Sequence, residues 1–225
     1  MNAPIEAVVF DVLGTMVDET RGLAAAIREA APGADTAPLL ALWQRHIERE
    51  QDRIVKGERP FATTDVLDRE AAEFVAEHAG ITDAAVLDRL ATAGRRHPAW
   101  DDAAAGLERI ARRRPVLALS NAGRAALLHL TANAGLRWHQ ALTAEDARTY
   151  KPAPEVYRLA VEAVGCPPER LLMVAAHAWD LRGAQAIGMR TAYVRRPVGD
   201  PPGDGDAFDW HAESLGELAE ALGTR

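Results

Sequence analysis

One cysteine, Cys166, is all that the 225 residues contain, so an internal disulfide and a cysteine-based metal site are both excluded. That thiol reads most simply as a small core residue. No segment approaches the roughly 20 unbroken apolar residues of a membrane-spanning helix. The opening stretch MNAPIEAVVFDVLGT has no basic n-region and runs straight into a strand-like pattern, so it does not read as a secretory signal, and a cytoplasmic location is the expectation. No concentrated basic stripe accompanies the formal net charge of −7, which argues against nucleic acid as the main partner, because phosphate binding needs clustered Lys and Arg. The densest basic run, Arg112 to Arg114, ends an amphipathic stretch, where cations favour a helix C-terminus. Internal repeats and low-complexity tracts are also missing, apart from a general abundance of alanine.

What is present is a composition that is 48% hydrophobic and 26% charged, the balance of an ordinary globular protein. The length allows one mid-sized core with a satellite rather than two large domains. Short apolar runs at residues 5–10, 115–119, 140–143, 171–176 and 190–194 read as strands. Helical periodicity appears at residues 102–113, 123–134, 154–164, 179–187 and 211–222. Pro154 suits a first helical turn, and Gly135 and Gly188 lie where helices should stop. Strand and helix in alternation predict an α/β fold: a doubly wound, Rossmann-like parallel sheet covered by helices. Residues 16–97 hold helical patterns, notably 39–55 and 64–77, without a convincing strand. They are expected to form a helical cap inserted after the first strand, with residues 1–15 and 98–225 as the core.

Ligands of an open parallel sheet bind beyond the carboxyl ends of its strands. The residues found there are Asp11, followed by Val12, Leu13, Gly14 and Thr15; Ser120 and Asn121; Lys151, in the loop after the third strand; and His177, Trp179 and Asp180 after the fourth. Each has a plain structural alternative. Asp11 could cap a turn, Ser120 or Asn121 a helix, Lys151 could be a surface charge, and Asp180 could simply favour the first turn of its helix. Together, on successive strand ends, they describe a site.

Four motifs now carry a resemblance that spans essentially the whole chain: FDVLGT at 10–15, LSNAG at 119–123, YKPAPEVY at 150–157 and VAAHAWDLRGAQAIGMRTAYV at 174–194. A lone DxxGT would be a weak signal, but in this order and spacing the four resemble the haloacid dehalogenase superfamily, and within it the type II L-2-haloacid dehalogenases. The resemblance implies that Asp11 is a nucleophile, that a helical cap closes over it, and that the protein is a homodimer, which no sequence feature decides.

Similar phosphatases carry a second Asp two positions after the nucleophile to protonate the leaving alkoxide. Here that position is Leu13, which cannot donate a proton. A late acid that helps hold magnesium is replaced by His177, leaving a thin oxygen shell for a hard cation. Halide leaves without a proton and needs only stabilisation of its charge. The expected reaction is therefore metal-independent and cofactor-free hydrolysis of a short 2-haloacid.

In the mechanism that the resemblance implies, Asp11 displaces halide from C2 and water hydrolyses the resulting ester at the Asp11 carbonyl. Lys151 keeps Asp11 ionised and attracts the substrate carboxylate. Ser120 and the backbone N–H groups of Val12 and Leu13 hold that carboxylate, Asn121 and Trp179 face the halide, and Asp180 orients or deprotonates the water. His177 either shares that task or makes a structural hydrogen bond. The family's cap arginine follows a Leu-Trp pair, whereas Leu42-Trp43 is followed by Gln44 and then Arg45. One residue is a helical rotation of about 100°, so either Gln44 or Arg45 is expected over the site. Two alternatives remain: a magnesium-dependent phosphatase of the same superfamily, and a catalytically silent binding module.

Overall fold

The computed structural model describes residues 4–223; residues 1–3 and 224–225, the two ends of the expected core, lie outside the described residues. Its centre is a six-stranded sheet of β1 (Ala7–Phe10), β2 (Val116–Ser120), β3 (Gln140–Thr143), β4 (Leu171–Ala175), β5 (Arg190–Val194) and β6 (Trp210–Ala212). All neighbouring pairs are parallel, in the order β3-β2-β1-β4-β5-β6. Strands β1, β2 and β4 are buried along their full length, which is why they read as unbroken apolar runs rather than as alternating ones.

Between β1 and β2 lie α1 (Glu19–Ala30), α2 (Thr36–Val55), α3 (Thr64–Ala79), α4 (Ala84–Ala91) and a short 3₁₀ turn (Ala93–Arg96), then α5 (Ala103–Ala111). The remaining helices are α6 (Arg124–Asn133), the single turn α7 (Ala144–Ala147), α8 (Pro154–Val164), α9 (Ala178–Ala186) and α10 (Leu215–Gly223). Two apolar layers sandwich the sheet. Val8, Phe10, Val116, Ala118, Leu172 and Val174 pack with α5, α6 and α10 on one face. Ala7, Val9, Leu117, Leu119, Leu171 and Met173 pack with α8 and α9 on the other. The period-two alternation of the strands thus persists, with both faces covered.

Helices α1 to α4 bury a third apolar cluster of their own, including Leu23, Ile27, Leu39, Trp43, Ala72, Val75 and Leu90. Asp18, Asp35 and Asp83 each accept a backbone N–H at the start of a helix, so α1, α2 and α4 are capped by their preceding aspartates. The expected cap patterns at 39–55 and 64–77 are the buried parts of α2 and α3, while α1 and α4 were not anticipated. Both are short, 12 and 8 residues, and give fewer turns of periodicity than the 20 and 16 residues of α2 and α3.

One secondary-structure expectation is corrected. Residues 211–222 are not a single helix: Trp210–Ala212 is the edge strand β6, paired to β5 in the register Ala192↔Trp210 and Val194↔Ala212, and the helix begins only at Leu215. The buried-exposed-buried order of Trp210, His211 and Ala212 is a strand's period, too short to stand out beside the apolar face of α10.

Candidate active site

The sheet reverses its winding between β1 and β4. The crevice at the carboxyl ends of these two strands is the place where such sheets bind ligands. Asp11 leaves β1 there, its backbone N–H donating to Val174 O at 3.0 Å. The Asp11 carboxylate is fixed from two sides, by Thr15 Oγ1 donating to Oδ2 at 2.7 Å and Lys151 Nζ donating to Oδ1 at 3.0 Å. Thr15 is itself held, since Oγ1 accepts from Ala176 N at 2.9 Å, which ties the loop after β1 to the end of β4. Gly14 makes that loop with φ +77°, and its missing Cβ leaves room for the His177 ring: a Cβ would lie 2.4 Å from Nε2.

Lys151 sits between two carboxylates, reaching Asp180 Oδ2 at 2.7 Å as well as Asp11. Burial pulls its ammonium down, but the charges of Asp11 and Asp180 outweigh this and hold it above the usual lysine range. Burial, with the charge of Asp11, raises the Asp180 carboxyl, against the opposing pull of Lys151 and Tyr157. Tyr157 donates to Asp180 Oδ1 at 2.7 Å, and burial together with Asp180 raises its own hydroxyl far above the tyrosine range, so the proton stays on Tyr157. Asn121 accepts Lys151 N on Oδ1 at 2.9 Å and donates from Nδ2 to Gln51 Oε1 of α2 at 3.2 Å, joining the sheet edge to the helical layer.

Above this rim lies a cavity of about 680 Å³, walled by Asp11, Leu13, Gly14, Asn121, Lys151, His177 and Trp179 from the sheet side. Trp43, Gln44, Ile47, Gln51, Thr64 and Asp68 face it from α2 and α3, and Glu19 from the start of α1. The expected residues divide accordingly. Asp11, Leu13, Gln44, Asn121, Lys151, His177 and Trp179 all line the cavity.

Four others do not line it. Arg45 is exposed on the outside of α2, because one step along the helix turns it away from Gln44. Ser120 is fully buried below the rim, where its Oγ accepts from Ala122 N at 3.0 Å and shapes the turn after β2. Val12 is fully buried in the sheet-side core. Asp180, also fully buried, meets Lys151 and Tyr157 behind the wall.

Sequence reasoning gave no role to Thr15 or Tyr157, although both stand inside motifs that it singled out. Glu19, Asp68 and His97 on the helical side also escaped it, because isolated polar residues in helical stretches carry no local signal. Burial, with the charges of Asp11 and Glu48, pushes the Glu19 carboxyl up to about 7 against the pull of His177. Burial and the neighbouring Glu19 and Asp65 raise Asp68 well above the carboxylate range. His97 is pushed down to about 4 by burial and by Arg96.

A wound parallel sheet that presents a lysine-held carboxylate at its switch point, beneath a helical insertion, defines an α/β hydrolase. The chain belongs to the haloacid dehalogenase-like hydrolase family, whose model matches residues 5–188. It is similar to (S)-2-haloacid dehalogenase 4A of Burkholderia cepacia, with 31% identity over 220 residues, 95% of this chain and 93% of that protein. Among solved structures it resembles a defluorinating L-2-haloacid dehalogenase, with a TM-score of 0.89 and 33% identity over 97% of this chain and 95% of that one. It also resembles the L-2-haloacid dehalogenase of Xanthobacter autotrophicus with chloropropionic acid covalently bound, with a TM-score of 0.84 and 27% identity over 97% of this chain and 98% of that one.

Proposed function

We propose that this protein hydrolyses the carbon–halogen bond of a 2-haloacid through an ester on Asp11, with residues 16–97 serving as the cap. The observation that carries the reading is the Asp11 carboxylate, oriented by Thr15 and Lys151 and opening into the cavity, with Leu13 two positions on, a side chain that cannot protonate an alkoxide leaving group. Curated relatives that are (S)-2-haloacid dehalogenases, and a similar structure with chloropropionic acid covalently bound, support it.

Asp11 attacks C2 with the oxygen that faces the cavity; the C2–halogen bond breaks with its electron pair and halide departs. Lys151 holds the carboxylate in place and draws the substrate carboxylate to the rim. Leu13 N–H takes part in seating it, while Asn121 and Trp179 stand on the side of the leaving halide. Water then attacks the ester carbonyl of Asp11, releasing the 2-hydroxyacid and restoring the carboxylate. Lys151 polarises that carbonyl. Since Asp180 does not reach the cavity, its contribution passes through Lys151, and His177, on the wall over Gly14, is the group placed to take the proton from the water. Asp11 and Asp180 are the carboxylates a rim cation would need, and both are bound to Lys151 Nζ, so the cycle runs without a metal.

The direct test is chloride release from 2-chloropropionate after exhaustive chelation. The reading expects turnover that chelator and added magnesium leave unchanged. Phosphate release from esters that depends on magnesium, without chloride release, would establish the phosphatase alternative instead.

A further inference from the structure

The cavity is far larger than a three-carbon acid requires: about 680 Å³ falls in the range of sites that enclose drug-sized ligands. Its wall is also rich in carboxyl groups and poor in bases. Five carboxylates line it, Asp11, Glu19, Glu48, Asp68 and Asp200, and among the described residues Lys151 is the one Lys or Arg on the wall, already shared between Asp11 and Asp180. No arginine of the helical layer supplements it, since Gln44 lines the wall and Arg45 points outward.

Glu19 and Asp68, both half-buried in the wall, have no hydrogen-bond or ion-pair partner among the described residues, and a carboxylate partly withdrawn from water without a partner is costly. An independent feature points the same way. His97, only 5% exposed, lines the same end of the cavity with no hydrogen bond from its ring; its Nδ1 is buried against Gly22 of α1. A Cβ built on Gly94 would lie 3.7 Å from Asp68 Oδ2 and 3.8 Å from His97 Nε2, so these two acceptors flank one point. His97 is neutral and can accept a hydrogen bond there.

We propose that this end of the cavity binds an organic ammonium through Glu19, Asp68 and His97, so that the substrate is a 2-haloacid whose tail carries a protonated amine. The substrate class rests on the dehalogenation reading; the ammonium site does not. A primary ammonium has three N–H donors for three acceptors. With the acid end at Lys151 and the amine end at Glu19 and Asp68, a zwitterion satisfies both poles.

The test has two readouts on the intact protein. In calorimetry, ω-aminopentanoate should bind at least about tenfold more tightly than pentanoate or ω-hydroxypentanoate, and Glu19→Gln and Asp68→Asn should each remove about tenfold or more of that preference, as expected for hydrogen bonds to charge. Both substitutions are isosteric, and unchanged thermal midpoints exclude misfolding as the cause. In halide release, a 2-chloroacid with an ω-ammonium tail should exceed its ω-hydroxyl counterpart in kcat/KM by a similar factor. Selective amine binding without chloride release from any acid would sink the dehalogenation reading and leave the ammonium site standing. Equal or weaker binding of the amine, or a preference untouched by both substitutions, overturns the site.

Discussion

Asp11→Asn eliminates halide release, lowering the rate by on the order of 10⁴-fold or more, as loss of a nucleophile does. An amide keeps the shape of the carboxylate but cannot displace halide and leave as an ester. The fold survives because Lys151 retains Asp180 Oδ2 at 2.7 Å, so no buried cation is stranded. Measuring chloride release and thermal unfolding on the same preparation checks both halves. A folded variant that still turns over at a tenth of the parent rate is incompatible with Asp11 as nucleophile.

Lys151→Met is expected to be the most damaging substitution at the site, in stability as well as rate. It leaves the Asp11 and Asp180 carboxylates facing one another without the ammonium they share. Removing one member of a buried ion pair costs about 3–5 kcal/mol, and two carboxylates in one pocket tend to hold a proton between them. A protonated carboxyl is a poor nucleophile, so no ester should form. Denaturant titration measures the first effect, and mass analysis of the Asp11 peptide after mixing with 2-chloropropionate the second. An ester that accumulates normally in this variant would show that Lys151 serves only the later step.

Much of this architecture is legible in the sequence. The five strand runs each fell on an observed strand, most plainly β1, β2 and β4, which are buried on both faces and so read as apolar runs. Edge strand β6 was lost for the converse reason: three residues with one exposed position do not outweigh the helix that follows. At the site, Asp11, Asn121, Lys151 and His177 were found because each ends a strand or follows one, a position that topology alone makes informative. Orientation was not legible there. Asp180 and Ser120 occupy equally good positions in the chain, yet one turns back toward Tyr157 and the other toward Ala122 N. The contributions of Glu19, Asp68 and His97 depend on how separate segments of the helical layer, α1, α3 and the stretch after the 3₁₀ turn, dock over the rim, and no local pattern encodes that. Arg45 against Gln44 was a choice between neighbouring helical positions, resolved only once α2 was placed.

The covalent intermediate is the central claim, and isotope placement in a single turnover tests it most directly. With the protein in excess over 2-chloropropionate in ¹⁸O-labelled water, the account predicts label in the side chain of Asp11 and unlabelled hydroxyl in the first product, because the product oxygen comes from the carboxylate and water enters at its carbonyl. Label in the product of that first turnover, with none in Asp11, would mean that water attacks C2 directly, and the mechanism built on Asp11 would be contradicted.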